Sequence, residues 1–243
     1  PGANRRPLWL PDGQRLLFLS FRDEHWGIYL KDLTRGDQPA DLVLRSDRPR
    51  WPLWPYACLP DSRSLVVGTH GKSGDWTVSI LPLTGDRNLQ PLKLDRTTGF
   101  IDFSPDGRWI TYTSGKSGVL QTYVRRFPDG EEEQVSTGYG VEGLWSANGD
   151  EMYYRDGGTW FAVTVTFEPS LRASPPRKLF SGAFYDAPGY SYAVAPDAQR
   201  FLVFVPEPPD VPLTQLEVIT NWTAEVARKV AAGKAPNSLR QSP

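Results

Sequence analysis

One short box recurs five times along this chain, and its spacing restricts the fold more than any other feature. Each copy has an aromatic or apolar residue, a small or apolar residue, and then Pro-Asp-Gly or a close variant. A strand-like apolar run follows. The copies are Trp9-Leu10-Pro11-Asp12-Gly13, Cys58-Leu59-Pro60-Asp61-Ser62, Phe103-Ser104-Pro105-Asp106-Gly107, Trp145-Ser146-Ala147-Asn148-Gly149 and Val194-Ala195-Pro196-Asp197-Ala198. Aligned on the Asp (or Asn148), they lie 49, 45, 42 and 49 residues apart. The box has the chemistry of a tight turn. Pro presets φ, Asp bonds nearby backbone N–H groups, and Gly supplies a positive φ. Ser62 and Ala198 replace that Gly. Either they adopt a left-handed conformation at a cost of about 1 kcal/mol, or their turns differ locally.

A second punctuation follows each box. Gly71-Lys72-Ser73-Gly74 precedes Trp76-Thr77-Val78-Ser79-Ile80, and Gly115-Lys116-Ser117-Gly118 precedes Gln121-Thr122-Tyr123-Val124. Asp23-Glu24-His25 and Asp156-Gly157-Gly158 take the same place in the first and fourth repeats. Short fourth strands are expected at Asp41-Leu42-Val43-Leu44, at 90–94, at Gln134-Val135-Ser136 and at Arg177-Lys178-Leu179-Phe180. Four antiparallel strands repeating every 42–49 residues are the pattern of a β-propeller blade. A helix-rich chain would not tolerate 22 Gly and 23 Pro at this spacing. Helical signal is confined to 222–232, where Val226 and Val230 lie four apart. The expectation is an all-β propeller of about five blades over 1–221, then a short C-terminal helix and tail over 222–243.

The runs Phe103-Ser104-Pro105-Asp106-Gly107-Arg108-Trp109-Ile110 and Tyr123-Val124-Arg125-Arg126-Phe127-Pro128 resemble the WD-like repeat of TolB-type β-propellers. A closer resemblance is to propellers at the C-terminal end of bacterial eukaryotic-like serine/threonine protein kinases. There the third-repeat run, the Trp-Ser-x-x-Gly box and a terminal Asn-Trp before a helix occur in this order, here ending in Asn221-Trp222. Such propellers usually have six or more blades. Five boxes, few residues ahead of the first, and no initiator Met or signal-peptide core give the expectation of a fragment lacking upstream blades. A closed five-blade ring is the alternative.

Catalytic signatures are missing from these residues. A phosphate loop needs Gly five residues before Gly-Lys-Ser, where Val66 and Ile110 stand, and a helix after it. Both Gly-Lys-Ser triplets are expected to be hairpin turns. Gly71-Lys72-Ser73-Gly74-Asp75 lacks the last Gly of a nucleophile elbow, and Asp102-Phe103-Ser104 is not Asp-Phe-Gly. His25 and His70, both expected in turns, have no second ligand at metal spacing. The acidic pairs Asp23-Glu24 and Glu131-Glu132-Glu133 read as solvated loops. Cys58, the only cysteine, takes a core position of the repeat and reads as a buried thiol. No cofactor or metal is implied, and the chain reads as non-enzymatic.

Binding is the remaining class. Lys plus Arg number 27 against 28 Asp plus Glu, which argues against a dedicated nucleic-acid binder. No apolar stretch approaches 18 residues, so a membrane would be reached only through an upstream segment. Most aromatics, including Trp26, Trp76 and Trp160, recur at repeat positions and read as packing between blades. The exceptions lie in connections entering the innermost strands, which ring one mouth of a propeller channel. The candidates there are Arg50, Trp54, Tyr56, Tyr139, Glu142, Tyr185 and Tyr190, since aromatics and Arg dominate binding hot spots. Loop packing over the channel is the competing reading. The resemblance implies a sensor or scaffold that takes a protein, peptide or small ligand at that mouth, outside the cytoplasm and attached to a kinase. A TolB-type periplasmic scaffold, or the propeller gate of a serine peptidase, are the alternatives it allows.

Overall fold

The computed structural model describes residues 3–48, 53–70, 76–94, 99–186 and 189–206. The chain divides into two units, Pro1–Pro206 and Glu207–Pro243, and the described residues all belong to the first. Arg50, the first Gly-Lys-Ser turn at 71–74, the strand expected at 216–220 and the helix expected at 222–232 lie outside the described residues.

The repeats become successive antiparallel sheets. The first holds β1 (Asn4–Trp9), β2 (Arg15–Arg22), β3 (His25–Asp32) and β4 (Asp41–Arg45), hydrogen-bonded in chain order. The second holds β5 (Trp54–Cys58), β6 (Ser64–His70), β7 (Trp76–Pro82) and β8 (Gln90–Pro91). The third holds β9 (Gly99–Phe103), β10 (Trp109–Ser114), β11 (Gln121–Arg126) and β12 (Glu132–Gln134). The fourth holds β13 (Val141–Trp145), β14 (Glu151–Asp156) and β15 (Thr159–Thr166), whose far edge pairs with both β16 (Arg172–Ala173) and β17 (Arg177–Ser181). The described part of the fifth holds β18 (Tyr192–Val194) and β19 (Phe201–Val203).

The boxes form the β-turns between first and second strands. Gly13, Gly107 and Gly149 have φ of 66°, 71° and 79°, and Ser62 and Ala198 follow at 58° and 57°. The left-handed alternative therefore holds at both substituted turns. In each Pro-Asp box the carboxylate accepts the backbone N–H two residues on, at 2.8–3.0 Å, from Asp12, Asp61, Asp106 and Asp197. Neighbouring boxes also touch. Asp12 N–H donates to Ser62 Oγ (3.1 Å), and Arg15 Nη2 donates to the Ser62 carbonyl (3.0 Å).

The core lies between sheets and follows the period of two that strands impose. Leu65 and Val67 face the first sheet with Leu17, Leu19 and Ile28, while Val66 turns to the third sheet with Ile101, Ile110 and Tyr112. Met152 and Tyr154 face the third sheet, while Tyr153 joins Trp160 and Tyr192 against the fifth. No sheet buries its apolar faces alone, so the repeats are stable only as a stack. Each fully buried aliphatic or aromatic side chain contributes roughly 1.5–3 kcal/mol. In the fifth repeat, Leu202 takes the register position of Val66 and Tyr153 and is 73% exposed.

Several local expectations need correcting. Glu131-Glu132-Glu133 is not a solvated loop. Glu132 opens β12 and receives hydrogen bonds from Lys116 and Tyr112. Glu131 and Glu133 accept the backbone N–H groups of Leu171 (3.3 Å) and Ala173 (3.2 Å) in the next repeat. Edge-strand carboxylates thus replace a backbone ladder between blades. His70 is not in a turn; it ends β6 with its ring 4.6 Å from that of Trp76. His25 opens β3. The second Gly-Lys-Ser forms a hairpin turn, Gly118 N–H donating to the Gly115 carbonyl (2.9 Å), and strand β11 follows. Cys58 is buried between the first two sheets, and burial pushes its thiol up to about 12.

Candidate functional site

The first strand of each sheet is its inner strand. β1 neighbours β5, β5 neighbours β9, and β9 neighbours β13. β18 joins β13 through the Tyr192 hydroxyl, which donates to the Glu142 carbonyl at 2.7 Å. The five inner strands therefore follow one another along the axial side of the stack.

The first four inner strands each carry one extra residue at nearly the same repeat position. Arg5 and Leu8 pair with Leu19 and Leu17, so β1 spends three steps where β2 spends two. The same excess falls at Tyr56 in β5, between Gly99 and Asp102 in β9, and between Val141 and Leu144 in β13. Such bulges bend a strand and re-aim its side chains. In three repeats the bulge holds a non-Gly residue at positive φ: Arg6 at 52°, Phe100 at 48° and Glu142 at 60°. For long side chains that backbone is unfavourable and persists only where surroundings enforce it.

The re-aimed side chains meet at the axis. The Arg6 guanidinium carbon lies 3.4 Å from the centroid of the Trp54 ring. The same guanidinium reaches toward the segment entering β18, where a methyl group placed on Gly189 would lie 3.8 Å from Nη1. Phe100 and Tyr190 meet edge to face at 5.4 Å, and the Tyr190 hydroxyl donates to the Gly143 carbonyl at 3.3 Å. Tyr56 accepts a hydrogen bond from Trp76.

Glu142 anchors a buried network. Its Oε1 accepts from Arg155 Nε (2.8 Å) and Nη2 (2.6 Å) and from Ser191 Oγ (3.1 Å). Its Oε2 accepts the Ser191 N–H at 2.6 Å. Arg155 continues outward to Asp186, 2.7 Å away and exposed. Burial opposes the charge on Arg155, but Glu142 and then Asp186 outweigh it and hold the guanidinium above its ordinary value. The network clamps the fourth repeat to the fifth.

Burial dominates the other ionisable groups. It pushes Asp102 up to about 6 against hydrogen bonds from the Trp145 and Phe103 N–H groups. Asp102, on β9, keeps partial surface accessibility. Burial also raises Tyr56 to about 12 and lifts Tyr190 and Tyr192 well above their ordinary range, with the Asp102 and Glu142 charges adding to the last two. It lowers Arg6.

No protein-family model matches the chain. Solved structures do. TolB from Acinetobacter baumannii superposes with a TM-score of 0.62 at 19% identity, over 82% of this chain. The fold is a β-propeller. The chain spans 48% of that TolB, about half its length. An Agrobacterium tumefaciens protein described as a TolB gives a TM-score of 0.61 at 18% identity, covering 84% of this chain and 80% of the other. An oligogalacturonate lyase solved with manganese gives 0.58 at 14%, covering 83% and 61%. Propellers with the name of an enzyme and without one thus share this architecture, so fold alone does not decide activity. Among the described residues, no three His, Cys, Asp or Glu side chains form a group able to hold a metal ion.

The residues expected at the mouth separate into groups. Trp54, Tyr56, Glu142 and Tyr190 lie on or beside the inner strands, and the Glu142 and Tyr56 charges both act on the Tyr190 hydroxyl. Tyr139 and Tyr185 stand on the exposed surface, Tyr185 at 59%. Phe184 packs against Trp160 and Phe180 inside the fourth-fifth core. Glu142 is 1% exposed with both oxygens engaged, so it positions its neighbours. Arg6, Phe100 and Asp102 were not among the expected residues. Pro7 and Pro55 were the available signal, because Pro inside a strand-like run marks a bulge or an edge.

Proposed function

We propose that this propeller is a non-catalytic binding module whose ligand, a segment of another protein, docks at the axial mouth formed by the bulged inner strands. The observation that carries this reading is the repeated bulge. It holds Arg6 and Phe100 in unfavourable backbone and brings them beside Trp54, Tyr56 and Tyr190. Packed blades supply the rigid frame, so the mouth is organised before a partner arrives and little ordering entropy is lost on docking. The exposed rings of Tyr139 and Tyr185 extend the proposed surface beyond the axis. The parent protein is proposed to be a bacterial serine/threonine kinase with this propeller as its extracytoplasmic sensor. Ligand binding would then bias the linked effector by differential affinity for its states.

A phage-displayed peptide library selected on the purified chain tests the reading. Selected peptides should lose about tenfold or more in affinity on Trp54→Ala while the variant keeps its near-UV dichroism. Peptides that bind Trp54→Ala unchanged would place recognition elsewhere. The second reading, a TolB-type periplasmic scaffold with no effector, is favoured by the similarity to two TolB structures. Coding sequence upstream of Pro1 separates the two, through a kinase domain with a membrane span or a signal peptide without a kinase.

A further inference from the structure

Among the described residues, Arg6 has no anionic partner: its guanidinium has no carboxylate or carbonyl partner, only the Trp54 ring. A guanidinium lying on a ring keeps its N–H donors in its own plane, where they fit the two oxygens of a carboxylate. Half-buried donors left unmade are costly, so a site that keeps them open gains by receiving an acceptor. The chain's own carboxylates nearby do not fill this role. Both Glu142 oxygens serve Arg155 and Ser191. Asp102 accepts two backbone N–H groups. The left-handed backbone at Arg6 and the bulge between Arg5 and Leu8 re-aim the side chain onto the Trp54 ring.

The surroundings narrow the class of anion. Asp102 and Glu142 act on the Tyr190 hydroxyl, and with Glu142 paired to Arg155 it is Asp102 that adds uncompensated negative charge there, which disfavours phosphates and polyanions more than a single carboxylate. Trp54, Tyr56, Phe100 and Tyr190 offer apolar faces beside the one free guanidinium among these side chains. We propose that Arg6, held over the Trp54 ring, is the receptor for a single carboxylate of a peptide segment bound at the axial mouth. This rests on the channel-mouth reading above and adds the chemistry of its ligand. The carboxylate is a chain terminus or an Asp or Glu side chain.

Three tripeptide probes test it by side-chain and backbone NMR on the intact chain: N-acetyl-Ala-Ala-Ala with a free carboxylate, the same peptide as its C-terminal amide, and N-acetyl-Ala-Glu-Ala amide. The Arg6 Nε–H and Trp54 indole resonances should shift saturably with one or both acidic probes. Affinity for the amide should be about ten- to a hundredfold weaker. Which acidic probe binds identifies the source of the carboxylate. Arg6→Gln should reduce the acidic probes to the level of the amide, and Arg6→Lys, which keeps the charge and loses the fork, should recover only part. Equal binding of acid and amide, with mouth resonances shifting, would overturn the carboxylate receptor and leave the channel-mouth reading standing. No shift at Arg6 or Trp54 with any probe would also overturn it, and the library selection would then judge the mouth separately.

Discussion

Replacing Asp102 by Asn should make the protein more stable at neutral pH and flatten part of its pH dependence. Asp102 sits beside the axis, accepts the Trp145 N–H at 3.0 Å, and has its acid pushed from an ordinary 3.8 up to about 6 by burial. A raised acid favours the protonated form in the folded state. Its contribution is fully present below about pH 4 and is lost as pH rises through 6. A gap of about 2 pH units corresponds to about 3 kcal/mol between the two ends of that range. Asn is neutral throughout and keeps one carbonyl oxygen for the Trp145 N–H. It can lose the second hydrogen bond, at about 1 kcal/mol. That loss is the same at every pH, so it cancels in a difference of differences.

The assay is urea unfolding of both proteins at half-unit steps from pH 4 to 8. The stability of Asp102→Asn relative to wild type should rise by about 2.5 kcal/mol across that range, with half of the rise reached near pH 5 and a plateau above pH 6. All other titrating groups are common to both proteins and drop out. A relative stability independent of pH would refute the argument, as would a variant weakest at pH 8. Either result would mean that the carboxylate is hydrated or paired and titrates ordinarily.

Three other perturbations probe separate links. Ala198→Gly, at a φ of 57°, should stabilise by about 1 kcal/mol and raise the melting temperature, since Gly carries no Cβ into the left-handed turn. Glu142→Ala should destabilise by about 3 kcal/mol, because it strands Arg155 with only the exposed Asp186 as an ionic partner; urea unfolding measures it. Cys58 should resist a thiol-specific disulfide reagent at pH 8 in the folded protein and react fully in urea, since burial holds its thiol at about 12.

The blades were legible because turn chemistry is local. Pro, Asp and Gly in order favour a turn through their own local chemistry, and the alternation of Leu65, Val66 and Val67 assigns faces without knowledge of neighbours. The axial residues were not legible for a definite reason. Alternation assigns a face only while each residue on one strand opposes one on the next. A single extra residue reverses the parity beyond it, so counting back from Asp12 or Asp106 gives the wrong face for Arg6 and Phe100. Strand alternation alone therefore leaves the connections as the apparent source of axial side chains, and Tyr139 and Tyr185 belong to those connections. Trp54 and Tyr56 lie in β5 itself, where Pro55 stands at the irregularity. Proline in a strand is also read as an edge, and an inner strand is an edge of its own sheet. The residue that breaks the ladder and the residue that faces the axis are thus neighbours for one physical cause. In this repeat, a Pro six or five positions before the turn Asp points to the axial side chain beside it, as Pro7 does to Arg6 and Pro55 to Trp54 and Tyr56.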